Sequence, residues 1–375
     1  MKTEKLTRRQ YFALCSLAVL SPALRLLPRE NAALAGSASW LCGVVAYVPL
    51  LLFAVLLNTM LSCRRAGEGM GDLILRALGN LAGKIVLAIY ALWFLLYAAF
   101  LLRSGAERFV TTVYPFSGIW PFVGTLLALS LVAALGGAKA LFRAAEVFLP
   151  LLTLVLVFVL LFALPELNPK GMLAVSTADI GPVLLGTLPI LNIGAGILFY
   201  PTFFEGLVPI APGRGKVTAK WLVRVCLLAV LLSVFTIGML GAELTANLSY
   251  PFFTMLRNVS IFHAVERFEA LVVGLWVLPD FILIALMLML ASGGLRTVFG
   301  CPPKGGDSGK LLRLENGRIL IWLCALAALV GGLLLAPDAF DLEFYSLRLI
   351  PGVTLGLTIG GTSIIFVIGK LRKTL

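Results

Sequence analysis

The sequence predicts an all-α polytopic membrane protein, ten transmembrane helices in a single integral membrane domain over 1–375. Three features carry this reading. Of the 375 residues 60% are hydrophobic and only 13% are charged, where a soluble domain carries about a quarter charged. The apolar residues gather in runs of about twenty, the helix length that crosses about 30 Å of hydrocarbon. The Lys and Arg sit in short clusters between those runs, as in cytoplasmic loops. The net charge of +12 would suggest nucleic acid in a soluble protein. Here its placement points to membrane topology instead.

The helices are expected at about 9–27, 36–58, 81–103, 118–136, 146–164, 182–207, 220–241, 268–292, 318–336 and 350–369. The first follows Lys2, Lys5, Arg8 and Arg9 and resembles a signal peptide, with Ala33 to Ala35 as a cleavage-like site. Arg25, Pro28, Arg29 and Glu30 separate that site from the apolar run, so a retained first helix is expected. The third carries Tyr90, Trp93 and Tyr97 on one face, and Arg103 ends it, with Glu107 one turn further as a pairing partner. Gly69–Gly79 and Lys139–Glu146 read as short amphipathic pieces on the inner surface. The inner loop over 293–318 contains CPPKGGDSGK and reads as mobile. With the N-terminus inside, 22 of the 30 Lys and Arg fall on inner segments, which favours an even number of spans with both ends cytoplasmic.

Six cysteines without a Cys-x-x-Cys pair, and the single His263, argue against a metal site. None of the cysteines is expected on the outer face, so no disulfides are expected. The Asn247 and Asn258 sequons match a short, common pattern and are read as chance. There is no nucleotide motif and no nucleophile–base pair, so the chain does not read as an enzyme, and no cofactor is implied.

A helix broken inside lipid frees backbone groups that can bind a polar ligand. Two soft points stand five spans apart. Helix one has Ser21-Pro22-Ala23, and helix six has Asn192-Ile193-Gly194-Ala195-Gly196 before Pro201. The other reading of the glycines is close helix packing. The aromatic stripe of helix three is either a pocket wall or an anchor. Glu205, near the inner end of helix six, is either a proton relay or a partner for a basic residue.

The stretch Tyr250–Ala291 is the most informative. To about Arg267 it is aromatic and polar, and reads as a short helix at a membrane surface; from Phe268 it is apolar, interrupted by Pro279-Asp280 near mid-depth. A carboxylate there is costly. Asp280 is a candidate for binding a substrate ammonium, a coupling ion or a proton, or for capping amides freed beyond Pro279.

The block YPFF-x-x-LRN-x-S followed by ERFEALVVGLWV resembles the spore germination receptor B-subunit family (GerAB type) of the amino acid–polyamine–organocation superfamily. Its carriers are Tyr250, Pro251, Arg257, Glu266, Arg267, Glu269, Leu275 and Trp276, with support from LTRRQYFAL, LLRSGAERF and KALFRAAE. The resemblance implies a LeuT-like 5+5 inverted repeat with broken helices one and six. It also implies a nutrient-sensing role in the spore inner membrane, beside A-type and C-type subunits. Carried over, the pocket would involve Ser21, Ala23, Tyr97, Asn192, Gly194, Gly196, Trp276 and Asp280, with Asp280 and Glu205 as candidates for proton or ion coupling. Where the family has Gly-x-Gly-Ile-Leu in helix one, this chain has Ser21-Pro22-Ala23-Leu24-Arg25, which adds side chains and a charge. The competing readings are a proton-coupled amino acid or amine transporter and a purely structural subunit.

Overall fold

The computed structural model describes residues 7–65, 67–168, 172, 175–204, 215–258, 268–300, 315–335 and 339–374. Among them there is no strand. Eight helical runs are long and apolar enough to cross a membrane, and a ninth apolar helix, Trp120–Leu135, is shorter. The first run, Arg8–Ser62, has 55 residues, room for two crossings at about twenty residues each.

In chain order the helices are α1 (Arg8–Ala35), α2 (Ser39–Val45), α3 (Tyr47–Ser62), α4 (Met70–Leu78), α5 (Asn80–Thr112), α6 (Trp120–Leu135), α7 (Ala138–Ala163), α8 (Ile180–Phe199) and α9 (Gly215–Leu240). There follow α10 (Ala242–Asn247), α11 (Pro251–Asn258), α12 (Phe268–Leu275), α13 (Val277–Val298), α14 (Glu315–Leu335), α15 (Ala339–Phe344), α16 (Ile350–Leu355) and α17 (Thr362–Leu371).

Three central helices set the architecture. Helix α13, packed chiefly on α5, is buried all round from Pro279 to Ser292 and over that stretch is apolar on every side apart from Asp280 and Ser292. Helix α1 lies against α7, α8, α9 and α13. The outer helices turn leucine, valine and isoleucine outward, for example Val48 and Leu52 of α3, Ile319 and Leu323 of α14, and Ile364 of α17. That belt is what an apolar solvent requires. The protein is an integral membrane protein.

Several boundaries differ from the sequence expectation, for one shared reason. Helix α5 does not end at Arg103 and continues to Thr112; α1 does not end near Leu27 and continues to Ala35. Charged residues normally mark the membrane interface, but here they are taken up inside the bundle. Arg103 pairs with Glu107 one turn on, as the spacing indicates, and Arg108 pairs across to another helix. The Lys139–Glu146 segment is the start of α7 and forms no separate surface piece. Gly69–Gly79 does form a short helix, α4, whose Met70, Leu73, Ile74 and Ala77 are buried against its neighbours.

The expected interruption of helix one is absent. Helix α1 starts at a capping box made by Thr7 and Gln10 and runs through Pro22 and Pro28 as one helix of 28 residues. Helix α8 likewise runs unbroken through Asn192–Gly196 and gives way to a 3₁₀ turn only at Tyr200–Phe203. The break in the later helix falls at Trp276, between α12 and α13, one turn before Pro279-Asp280. Pro279 therefore sits in the first turn of α13, where its missing N–H costs nothing.

The last crossing contains two π-helical stretches, Tyr345–Leu349 and Gly356–Gly361. The Tyr90 hydroxyl donates to the Leu357 carbonyl at 2.7 Å, inside the second of them. A carbonyl displaced from the regular ladder thereby keeps a partner. The His263, Glu266 and Arg267 positions, Glu205 and most of the 293–318 loop lie outside the described residues.

Candidate functional site

The site is built from one face of α1, one face of α5 and the first turn of α13. On α1, Ser21 and Arg25 are four residues apart and point the same way. On α5, Tyr97, Phe100, Ser104 and Arg108 recur at spacings of three and four and form a second stripe. Asp280 of α13 meets both. Ser21 Oγ donates to Asp280 Oδ1 at 2.5 Å, and Arg108 Nη2 donates to Asp280 Oδ2 at 2.5 Å. Arg108 is fully buried, its guanidinium 5.2 Å from the Phe109 ring and 5.4 Å from the Phe253 ring. Asp280 thus has side-chain partners on two other helices.

One turn along α1, Arg25 is 3% exposed. Its Nη1 donates to Ser104 Oγ, and its guanidinium lies 5.2 Å from the Phe100 ring. Nε and Nη2 have no hydrogen-bond partner, and no carboxylate of the described residues forms an ion pair with Arg25. Further along α1, Glu30 and Asn31 are buried, with Glu30 Oε1 and both Asn31 amide atoms unpartnered. Buried polar groups are nearly always paired, and a buried cation is costly without an anion. This arrangement is a buried polar cluster with unused donors, in which the Glu30 carboxyl lies within electrostatic reach of Arg25 but not in ion-pair contact with it.

The other sequence-predicted residues divide. Tyr97 joins the cluster through its ring stack on Phe100, with centroids 6.3 Å apart. Ala23 is buried on α1 and brings no polar group. Asn192 is 5% exposed on α8 with its Oδ1 unpartnered. Gly194 and Gly196 serve close packing: a Cβ at Gly194 would stand 2.9 Å from Leu50 Cδ2, and one at Gly196 would stand 3.0 Å from the Tyr200 hydroxyl and 3.1 Å from Thr354 Cγ2. Trp276 is fully buried beneath α11, its ring 6.3 Å from Phe252 and 6.5 Å from Phe253. Helix α11 is folded inward, with Phe252, Phe253, Met255 and Leu256 buried, so its described part does not lie open on the surface. Glu205 lies outside the described residues.

Sequence reasoning missed Arg108 and Ser104, because both fell beyond the expected end of the third helix. The available signal was the continuation of the three-four spacing from Tyr97 through Arg108.

This helical bundle, with its polar cluster at the meeting of α1, α5 and α13, has the fold of the LeuT-like transporters. It is similar to Mhp1, a nucleobase-cation-symport-1 family transporter solved in a closed conformation with bromovinylhydantoin bound. The TM-score is 0.62 at 14% identity, over 92% of this chain and 75% of that one. It is also similar to MhsT solved in complex with L-phenylalanine, with a TM-score of 0.60 at 14% identity over 95% and 90% of the two chains.

The chain belongs to the spore germination protein family, whose model matches residues 5–325. Among its relatives in Bacillus subtilis (strain 168), the putative spore germination protein YfkT is 25% identical over 288 residues, 76% of each chain. Spore germination protein A2 is 21% identical over 308 residues, 80% of this chain and 82% of the relative.

Proposed function

We propose that this protein is the nutrient-sensing membrane subunit of a spore germination receptor, and that it binds a small molecule carrying a carboxylate, such as an amino acid, beside Arg25. The observation that carries the reading is a buried guanidinium with two unpartnered nitrogens and no carboxylate in ion-pair contact among the described residues. A ligand carboxylate would accept bidentate hydrogen bonds from such a group. The aromatic faces of Tyr97 and Phe100 would wall the ligand body. The family supports the germination role, and the two transporter structures hold small organic ligands, one of them L-phenylalanine. In this reading binding shifts the bundle between conformations and passes the shift to A-type and C-type subunits in the spore inner membrane, with both termini cytoplasmic. No chemical step is assigned to the protein.

The second reading is a proton-coupled amino acid or amine transporter, favoured by the likeness to two transporters. Asp280 is a weaker proton carrier when both its oxygens are engaged by Ser21 and Arg108. Liposomes carrying this chain alone separate the two. The sensor reading expects the purified chain to be stabilised by one or more free amino acids, without uptake of the labelled compound. Concentrative uptake driven by a proton gradient would establish the transporter. Absence of any stabilisation across amino acids and other carboxylates would reject the carboxylate site.

A further inference from the structure

A second feature lies at the opposite end of α1, about 25 Å from Arg25 at 1.5 Å per residue. Helices α1, α7 and α9 all begin at this end and enclose a cavity of about 820 Å³. We propose that this cavity is a binding site for an anionic phospholipid, its phosphate held by Arg8, Lys220 and Arg224 and its acyl chain laid along α7.

The cavity is lined by four cations and one carboxylate. The carboxylate, Glu146, is taken by Arg9 Nε at 2.9 Å. Arg8, Lys220 and Arg224 form no ion pair with any acidic group of the described residues. Lys220 and Arg224 are one helical turn apart on α9 and lie on its cavity face, opposite Arg8 at the start of α1. Three cations from two helices line one cavity, a charge set that suits a phosphate.

The shape of the cavity favours a lipid over a soluble anion. Beyond the cations the α7 wall is apolar at Leu149, Pro150, Leu154 and Val157, and the hydroxyl of Thr153 between them is spent on the Leu149 carbonyl at 2.8 Å. From Glu146 to Val157 this wall runs about 16 Å along the helix, the scale of an acyl chain. Leu154 is 68% exposed and Val157 48% exposed, so the cavity is open sideways to the hydrocarbon. The polar atoms of its floor are already satisfied: Trp221 Nε1 donates to Ser16 Oγ at 3.0 Å, and Ser16 Oγ donates to the Phe12 carbonyl at 2.7 Å. What remains unsatisfied is positive charge at headgroup depth beside an apolar channel, the arrangement by which basic pockets between transmembrane helices hold anionic headgroups.

The test uses the full-length protein in detergent micelles, with native mass spectrometry and thermal unfolding read against added phosphatidylglycerol. Phosphatidylglycerol is expected to remain bound and to raise the unfolding temperature, while phosphatidylcholine does neither. Each cation removed should weaken binding about fivefold, so the combined variant Arg8→Gln, Lys220→Gln, Arg224→Gln should lose about a hundredfold. A control losing the same charge elsewhere (Lys84→Gln, Lys139→Gln, Lys373→Gln) should bind as the parent does. Should the combined variant not fold, Lys220→Gln alone, on an exposed side chain, should show the single fivefold loss. The proposal is overturned if phosphatidylcholine binds equally, or if the cavity variant loses no more than the control. It is also overturned if inorganic phosphate displaces phosphatidylglycerol at equal concentration, which would make this a soluble-anion site.

Discussion

At Ser21–Arg25, α1 presents a hydroxyl and a guanidinium to α5 and α13. At Gly194 and Gly196, α8 presents no side chain and lets α3, Tyr200 and α16 approach. The two stretches look alike in sequence, each a soft point followed by a proline five or six residues on. In the fold both are continuous helix, and only one carries a charged side chain. A proline in a helix, or a pair of small residues, reports where backbone is crowded or close-packed. Whether the crowding serves a ligand depends on which charged side chains converge there from distant parts of the chain. Asp280 and Arg108 are 172 positions apart and meet at 2.5 Å.

The largest test of this contrast is Asp280→Asn. It strands Arg108 as a buried cation, and breaking such a pair costs about 3–5 kcal/mol. The unfolding temperature of the purified protein should fall steeply. Adding Arg108→Gln should recover a substantial part of the loss, and a strictly additive double variant would show the pair to be uncoupled.

Next comes Ser21→Ala, which removes a hydrogen bond to a charged group worth about 1.5–3 kcal/mol. Chemical denaturation should show a loss at least half as large as for Asp280→Asn. No change would mean that the α1–α13 link contributes nothing.

On the α8 side, Gly194→Ala should cost about 1 kcal/mol, because the Leu50 methyl groups must move aside. Its ligand affinity should remain that of the parent, and Leu50→Ala in the same chain should relieve the clash. A large loss of affinity with unchanged stability would return Gly194 to the site.

The smallest expected effect is Tyr90→Phe. It removes one neutral hydrogen bond to the π-helical stretch, worth about 1 kcal/mol, and should raise amide exchange around Leu357 with little change elsewhere.

The fold was legible because hydropathy runs and the placement of Lys and Arg are local signals. Pro279-Asp280 was legible as a disturbed helix, though the break itself lies one turn earlier, at Trp276, which only the family resemblance had singled out. The ends of α1 and α5 were misread because Arg25, Glu30, Arg103 and Arg108 looked like interface residues. In the fold each is buried, or nearly so, within the bundle, and two are neutralised in ion pairs. No local pattern distinguishes a charge facing headgroups from one facing a partner five helices away. Arg25 was visible as an oddity of helix one; the empty donors that make it a candidate anchor were not.

The most direct test of the account is Arg25→Gln, followed by calorimetric and thermal-shift titration with a free amino acid that stabilises the parent and with its amide derivative. The parent is expected to bind the acid and not the amide. Arg25→Gln is expected to lose at least about tenfold in affinity for the acid. Without ligand the variant should unfold at the same temperature or higher, since a buried unpaired charge has been removed. Undiminished affinity in Arg25→Gln, or equal binding of acid and amide by the parent, would contradict the account.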